Sequence, residues 1–313
     1  MWLHINDAMA SDAMEKFEKE LPNAKITTEH YEKDELIKRV KDFDILVVRS
    51  ATKVTRDIIE AGKKLKIIGR AGMGLDNIDL DAAKEKGIEV LNTPGQNSLS
   101  VAELVVGMIL SLNRHIVRGT KGISEGKWEK KLLKGTELSG KTLGIVGFGN
   151  IGKHLANLVG GFQVKVKVFD VFDIDEDTKK QFNIEQVSFE DLIKTSDIIS
   201  LHVPHNDKTH HLISDKEFEN MKDTALLINC ARGGIVDEKA LLKALKEKMI
   251  AGAGLDVYEE EPAKGELYNE IFSFDNVVGT PHIGASTKEA QQRVGINMVD
   301  RIVNATKKIK FEN

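Results

Sequence analysis

Three side chains in the last third of the sequence could move a proton beside a bound anion. They are Arg232 in Cys230-Ala231-Arg232-Gly233-Gly234, Glu261 in Glu260-Glu261-Pro262 and His282 in Thr280-Pro281-His282. A histidine titrates near neutrality, so it can donate or accept a proton at working pH. A carboxylate beside it favours the imidazolium and fixes the tautomer. An arginine offers a planar fork that matches a carboxylate with two parallel hydrogen bonds. Singly, each has an ordinary reading: a solvated turn, an exposed acidic patch, a structural histidine after proline. Each, however, follows an apolar strand-like run, and ligands in open α/β sheets sit outside the carboxyl ends of the strands. Together they make a candidate acid/base site with an anion clamp.

Upstream, Gly147-Phe148-Gly149-Asn150-Ile151-Gly152 lies between a strand-like run at 143–146 and a helical pattern at 153–159. In that setting Gly147 permits a tight turn, Gly149 lets a pyrophosphate approach the backbone, and Gly152 allows close helix–strand packing. The phosphates would rest on the N–H groups of the helix N-terminus. Asp170 ends the next strand, near the ~20-residue spacing expected of the acid that binds an adenosine ribose. An acid there repels a 2′-phosphate, which favours NAD over NADP. Two other glycine clusters fit less well: Gly72-Met73-Gly74 has Asn77 at the third position, and Gly252-Ala253-Gly254 has Val257 there. Both are expected to be tight βα turns. Hydride transfer between a nicotinamide and a 2-hydroxy acid needs a base, a cation for the carboxylate and exclusion of water. His282, Glu261 and Arg232 supply the first two.

Positioning such groups requires alternating strands and helices, and the pattern shows them. Runs at 45–48, 67–68 and 88–91 read as buried strands, with helical spacing at 34–40 and 79–86 between them. Further strands are expected at 164–169, 198–203, 225–228, 250–257 and 276–279, with a helix over 238–249. This is an α/β pattern with parallel sheets covered on both faces. Between the two series, 98–118 is apolar nearly all round, so it is expected to be one helix buried on several sides, bridging two domains and meeting another subunit. The last helix opens on the capping pattern Ser286-Thr287-Lys288-Glu289 and has no strand after it. It is expected to return to the first domain. The expected division is a discontinuous flavodoxin-like substrate-binding domain, 1–94 with 285–313, and a Rossmann NAD-binding domain, 95–284.

These motifs carry a resemblance. Val48-Arg49-Ser50-Ala51-Thr52-Lys53-Val54, Arg70-Ala71-Gly72-Met73-Gly74-Leu75-Asp76-Asn77, Asn92-Thr93-Pro94, Gly126-Lys127-Trp128-Glu129, the glycine loop, 229–237, Leu255-Asp256-Val257 and 280–288 span almost the whole chain. The sequence resembles the D-isomer-specific 2-hydroxyacid dehydrogenases, and within them the phosphoglycerate-oxidising branch. The resemblance implies NAD-dependent oxidation of D-3-phosphoglycerate, a step toward serine. It implies Arg232 on the substrate carboxylate, Glu261 partnering His282, and His282 as proton donor or acceptor. It places Asp256 on the nicotinamide carboxamide. His202, Pro204, Asn150, Ile151, Thr209, Cys230, Ala231, Gly284 and Ala285, with Arg232 and His282, would line the cofactor cleft.

For a phosphorylated acid, Arg49, Ser50, Arg70 and Gly72 are the candidate substrate contacts, with Lys53 nearby. Lys130, Lys131 and Lys134 are expected to be ordinary surface lysines. Lys130 stands where arginine is frequent in this branch, which argues against a two-pronged phosphate contact there. The extra C-terminal regulatory domains of longer relatives are not expected, nor serine feedback through them. Two alternatives accompany this reading: a glyoxylate or hydroxypyruvate reductase on the same scaffold, and an NAD-sensing binding protein such as the family's corepressors.

Composition bounds the rest. The 313 residues, 41% hydrophobic and 30% charged, suit two globular domains. A net charge of −4 supplies no basic field for nucleic acid. The first residues form neither a signal nor a transit peptide, and no run reaches the ~20 apolar residues of a membrane span. The lone Cys230 rules out an intramolecular disulfide and fits the cytoplasm. His202, His205, His210 and His211 lack cysteine or acidic partners at helical metal spacing, so no metal is expected. The expected assembly is a homodimer or higher homo-oligomer.

Overall fold

The computed structural model describes residues 1–311 and divides into two compact units, Met1–Asn97 with Ser286–Asn313, and Ser98–Ala285. The first unit runs β1 (Trp2–Ile5), α1 (Ser11–Glu20), β2 (Lys25–Thr27), α2 (Lys33–Arg39), β3 (Ile45–Val48), α3 (Arg56–Ala61), β4 (Ile67–Arg70), α4 (Leu80–Glu85) and β5 (Glu89–Asn92). Its sheet is wholly parallel in the order β2-β1-β3-β4-β5, the flavodoxin-like order. The continuous apolar run of β3 follows from burial on both faces. Ile45 and Val47 face one core with Leu3 and Phe17, while Leu46 and Val48 face another with Leu36, Ile58 and Ile59.

The second unit contains α5 (Ser98–Asn113), α6 (Ile116–Ser124), β6 (Thr142–Val146), α7 (Asn150–Val159), β7 (Lys165–Phe169), α8 (Glu176–Phe182), β8 (Ile184–Gln186), α9 (Phe189–Thr195) and β9 (Ile198–Leu201). It continues with α10 (Asp215–Asn220), β10 (Leu226–Asn229), α11 (Glu238–Lys246), β11 (Gly252–Leu255), α12 (Glu266–Ile271) and β12 (Val277–Gly279). Its seven parallel strands run β12-β11-β10-β9-β6-β7-β8. The order reverses between β6 and β9, the doubly wound Rossmann arrangement with its ligand crevice at the switch point. After β12 the chain re-enters the first unit as α13 (Lys288–Thr306), where Met298, Val299 and Ile302 bury against the sheet. The Thr287 hydroxyl caps this helix by accepting from Ala290 N–H at 3.1 Å.

Two expectations need correction. The apolar stretch 98–118 is not one helix: it breaks after Asn113, where His115 takes a left-handed φ of 52°, and restarts at Ile116. Gly252-Ala253-Gly254 is not a turn but strand β11 itself. A Cβ on Gly254 would lie 2.9 Å from Ile228 and 3.2 Å from the sulfur of Met108, so the glycine lets α5 pack on the sheet. No single helix among the described residues is long and apolar enough to cross a membrane.

Candidate functional site

β10, β11 and β12 are hydrogen-bonded neighbours, so the loops leaving their carboxyl ends lie side by side. Those loops carry Arg232, Glu261 and His282. His282 Nδ1 lies 2.7 Å from Glu261 Oε2, and Tyr258 N–H donates to Glu261 Oε1 at 3.3 Å. The hydrogen bond to the Glu261 carboxylate raises the His282 pKa above its ordinary value. Burial opposes this, the Glu261 and Asp256 charges add to it, and Arg232 subtracts from it. Burial pushes Glu261 upward, but the His282 hydrogen bond and charge, Tyr258 N–H and Arg232 outweigh it, so its pKa is lowered. With Nδ1 committed to Glu261, Nε2 is the ring nitrogen available for proton exchange. Arg232 is steadied by its own turn: Asn229 accepts from Ala231 N–H at 3.1 Å and donates to the Arg232 carbonyl at 3.0 Å.

Asp256, buried at 1% exposure, serves the histidine loop. Its Oδ1 accepts from the Thr280 hydroxyl at 2.6 Å and Ile283 N–H at 2.7 Å, and its Oδ2 accepts from Gly284 N–H at 2.8 Å. A buried carboxylate is costly without partners, and these bonds supply them from within the protein. They hold the chain on both sides of His282, whose φ of 53° is left-handed and unusual for a non-glycine residue. Tyr258 adds a bond from its hydroxyl to the Thr280 carbonyl at 2.9 Å. Sequence reasoning missed Asn229, Tyr258 and Thr280. Their roles depend on long-range partners that no local spacing reveals.

The glycine loop has the geometry a dinucleotide needs. Gly147 has φ 95°, and a Cβ there would lie 2.8 Å from the His202 carbonyl oxygen. A Cβ on Gly152 would meet the Gly147 carbonyl at 2.6 Å, whereas one on Gly149 meets nothing within 4 Å. The open position is one a pyrophosphate could approach, and it is the N-cap of the ten-residue helix α7, which begins with Asn150 and half-buried Ile151. Asp170 ties the loop to the next strand, accepting from Phe148 N–H at 2.7 Å and Phe172 N–H at 3.1 Å.

The other expected cofactor residues surround the carboxyl ends of β9, β10 and β12. Burial holds His202 neutral, with a pKa of about 3, and its Nε2 pairs with the Ser200 hydroxyl at 2.9 Å. The Thr209 hydroxyl donates to the Pro204 carbonyl at 2.6 Å, fixing that turn. Cys230 and Ala231 are buried, and burial, with the Asp256 charge, pushes the Cys230 thiol upward. Gly284 lies against Asp256, where a Cβ would come within 2.9 Å of the carboxylate, and half-buried Ala285 follows it.

His211 gains two acidic neighbours by folding, Asp237 and Glu259, which come from distant segments. Its Nε2 is 2.9 Å from Glu259 and its Nδ1 is 3.6 Å from Asp237, so each ring nitrogen faces its own carboxylate.

In the first unit, Arg49 and Ser50 follow β3, and Arg70 ends β4 with Gly72 beyond it. Asp7 accepts from Arg49 N–H at 2.6 Å, and Asn77 donates to the Arg49 carbonyl at 2.7 Å. Gly72 has φ 154°, and a side chain there would run into the Arg70 guanidinium. Lys53, Lys130, Lys131 and Lys134 are exposed.

Comparison with known proteins places this geometry in a family. Residues 106–284 match the family described as D-isomer specific 2-hydroxyacid dehydrogenase, NAD binding domain. The chain is 52% identical to a hydroxypyruvate reductase of Thermotoga maritima, over 96% of both chains. It is 46% identical to a D-3-phosphoglycerate dehydrogenase of Methanocaldococcus jannaschii, over 95% of this chain but only 56% of that one, so it spans about half the length of that relative. Among solved structures, D-lactate dehydrogenase from Aquifex aeolicus, complexed with NAD and lactic acid, superimposes with a TM-score of 0.83 at 31% identity, covering 98% of this chain and 96% of that one. A Rossmann glycine loop, an imidazole–carboxylate pair and a matching relative over nearly the full length together make this chain a member of the NAD-dependent D-isomer-specific 2-hydroxyacid dehydrogenases.

Proposed function

We propose that the protein oxidises D-3-phosphoglycerate to 3-phosphohydroxypyruvate with NAD, with His282 as the acid/base. The observation that carries the chemistry is the 2.7 Å pair of His282 and Glu261. In this reading Arg232 binds the substrate carboxylate with its two-pronged fork. His282 Nε2 takes the proton of the C2 hydroxyl, and Glu261 stabilises the imidazolium that results. NAD held at the Gly147–Gly152 loop would supply the hydride acceptor for C2. Every step reverses when the keto acid is reduced, with protonated His282 as the donor. Asp256 holds the loop of His282; contact between Asp256 and the nicotinamide carboxamide remains part of the proposal. In this reading Arg49 and Arg70, at the carboxyl ends of β3 and β4, are the side chains assigned to the substrate phosphate.

A second reading, reduction of hydroxypyruvate, is favoured by the 52% identity over nearly the full length of a relative bearing that name. The two separate in one assay, steady-state rates on 3-phosphohydroxypyruvate, hydroxypyruvate and glyoxylate with NADH. The proposal expects kcat/KM for the phosphorylated acid to lead by tenfold or more. A lead for hydroxypyruvate moves the assignment to the second reading, and NADH binding without turnover of any keto acid moves it to a sensor. A cytoplasmic homo-oligomer completes the proposal. Exposed apolar side chains on and after α6 (Ile116, Val117, Ile123, Trp128 and Leu132) support self-association.

A further inference from the structure

Glu238 is 4% exposed, and a carboxylate so placed needs a reason. It is the first residue of α11, where the helix dipole favours an acid, yet its side chain turns to the loop after β11. Glu238 Oε1 accepts from Glu259 N–H at 3.0 Å, and Glu259 Oε1 faces Glu238 N–H in return at 3.3 Å. The next amide, Glu260 N–H, donates to the Tyr268 hydroxyl at 3.0 Å. His211 holds the Glu259 carboxylate from the other side at 2.9 Å. Two successive N–H groups of the turn that delivers Glu261 are therefore fixed by side chains from α11 and α12.

We propose that Glu238, with Tyr268, is a positioning residue that holds the 258–261 turn so that Glu261 stays in hydrogen-bonding reach of His282. The inference rests on His282 and Glu261 acting as the acid/base pair. Glu238 never meets substrate and acts through Glu261. Removing its acceptor takes away the protein partner of the part-buried Glu259 N–H bond, so the turn is free to relax toward water and carry Glu261 with it. Burial raises the Glu238 pKa, the Glu259 and Glu260 charges add to this, and the Tyr268 hydroxyl and Glu259 N–H oppose it. The titratable groups facing the turn are thus His211, Asp237, Glu238, Tyr268 and the turn's own acids. Those facing His282 are Glu261, Asp256 and Arg232.

The test compares Glu238→Ala, Glu238→Gln, Tyr268→Phe and Glu261→Gln in the full chain, using the keto acid that the wild type reduces best. Three quantities are read: the alkaline pKa of reduction, the His282 imidazole titration by NMR, and NADH affinity by fluorescence. Glu238→Ala should lower kcat tenfold or more and move both pKa readings down by at least half a unit, while NADH affinity stays within twofold. Glu238→Gln keeps an acceptor oxygen and should remain within threefold of wild type. Tyr268→Phe should shift the same readings in the same direction by less, and it carries the test if Glu238→Ala does not fold. Wild-type pH behaviour in Glu238→Ala, or in Tyr268→Phe where that stands in, overturns the proposal; so does NADH affinity that falls in step with kcat. If Glu261→Gln itself leaves the His282 titration unmoved, the acid/base reading fails first. If Glu261→Gln shifts it and Glu238→Ala does not, the positioning role alone fails.

Discussion

Replacing Glu261 with glutamine isolates the charge that tunes His282. Gln keeps an oxygen to accept the Nδ1 proton, so the 2.7 Å contact persists while its negative charge is lost. Two unit charges ~4 Å apart interact by about 4 kcal/mol at an effective dielectric near 20 and by about 1 kcal/mol in water. The side chains of His282 and Glu261 are 47% and 38% exposed, which puts the pair toward the watery end, at roughly 1–2 kcal/mol. At about 1.4 kcal/mol per pKa unit, the His282 pKa should fall by about one unit. Burial and Arg232, both of which lower it, then act with less opposition.

The sign follows from the proton's direction. Reduction of a keto acid needs the imidazolium, so its rate falls as pH rises through the His282 pKa, and the variant loses activity about one unit earlier. Oxidation needs the neutral imidazole, so its acidic limb moves down by the same amount and the variant gains relative activity at low pH. Rates measured in both directions from pH 5 to 9 with saturating cofactor read the two limbs. Linkage adds a third observable. His282 is raised and Glu261 lowered in the folded protein, so their attraction stabilises the fold between those two pKa values. The histidine's share is complete below its unfolded pKa and is lost as pH rises through the folded one. The carboxylate's share is complete above its unfolded pKa and is lost as pH falls through the folded one. The Tm gap between wild type and variant should therefore be widest near pH 5–6.5 and close toward pH 9. Identical pH limbs in the two proteins would refute the assigned partnership.

Two further predictions concern the cofactor loop. Gly149→Ala adds a methyl that meets no protein atom, so Tm should hold within a degree or two while NADH affinity falls tenfold or more. Gly147→Ala forces a side chain onto φ 95° beside the His202 carbonyl and should cost ~1–3 kcal/mol of stability, read by urea unfolding; equal effects of the two on stability would count against the loop assignment. Asp170→Ala should reduce discrimination of NAD over NADP and, by freeing Phe148 N–H, weaken both cofactors. Unchanged discrimination in a kcat/KM comparison would remove the ribose contact.

Much of this molecule was legible because two-sided burial writes itself into sequence. Runs such as 45–48 and 143–146 are apolar without alternation because both sheet faces are covered, and the glycine loop announces itself by strand, spacing and helix. Less was legible where burial is one-sided or the interior is polar. β2 is a three-residue edge strand of mixed polarity, Lys-Ile-Thr, and β1 carries His4, fully buried yet satisfied by Thr27 and Asn6. Neither resembles a core strand until its neighbours are in place. The break at His115 was hidden because apolar character continues across it, and hydrophobic period does not report a single left-handed residue.

Asp256 shows why site residues resist assignment by type. Family resemblance assigns it to a bound nicotinamide carboxamide. Its partners are backbone N–H groups contributed nearly thirty residues later, at Ile283 and Gly284. Asp170 and Glu238 repeat the arrangement: each is a carboxylate at a strand or helix end that accepts N–H groups from a functional loop, Phe148 in one case and Glu259 in the other. Loops outside the carboxyl ends of parallel strands have no ladder to satisfy their amides, so the fold supplies acceptors from the neighbouring loop or helix. An acid in such a position has two possible partners, a bound molecule or the protein backbone, and the residue type is the same for both. In this chain His282 can hold a left-handed backbone and still aim its ring at Glu261 because Asp256 takes the amides on its far side. The His282–Glu261 contact thus joins two loops, each of which has backbone N–H groups accepted by a carboxylate from elsewhere in the chain, Asp256 for one and Glu238 for the other.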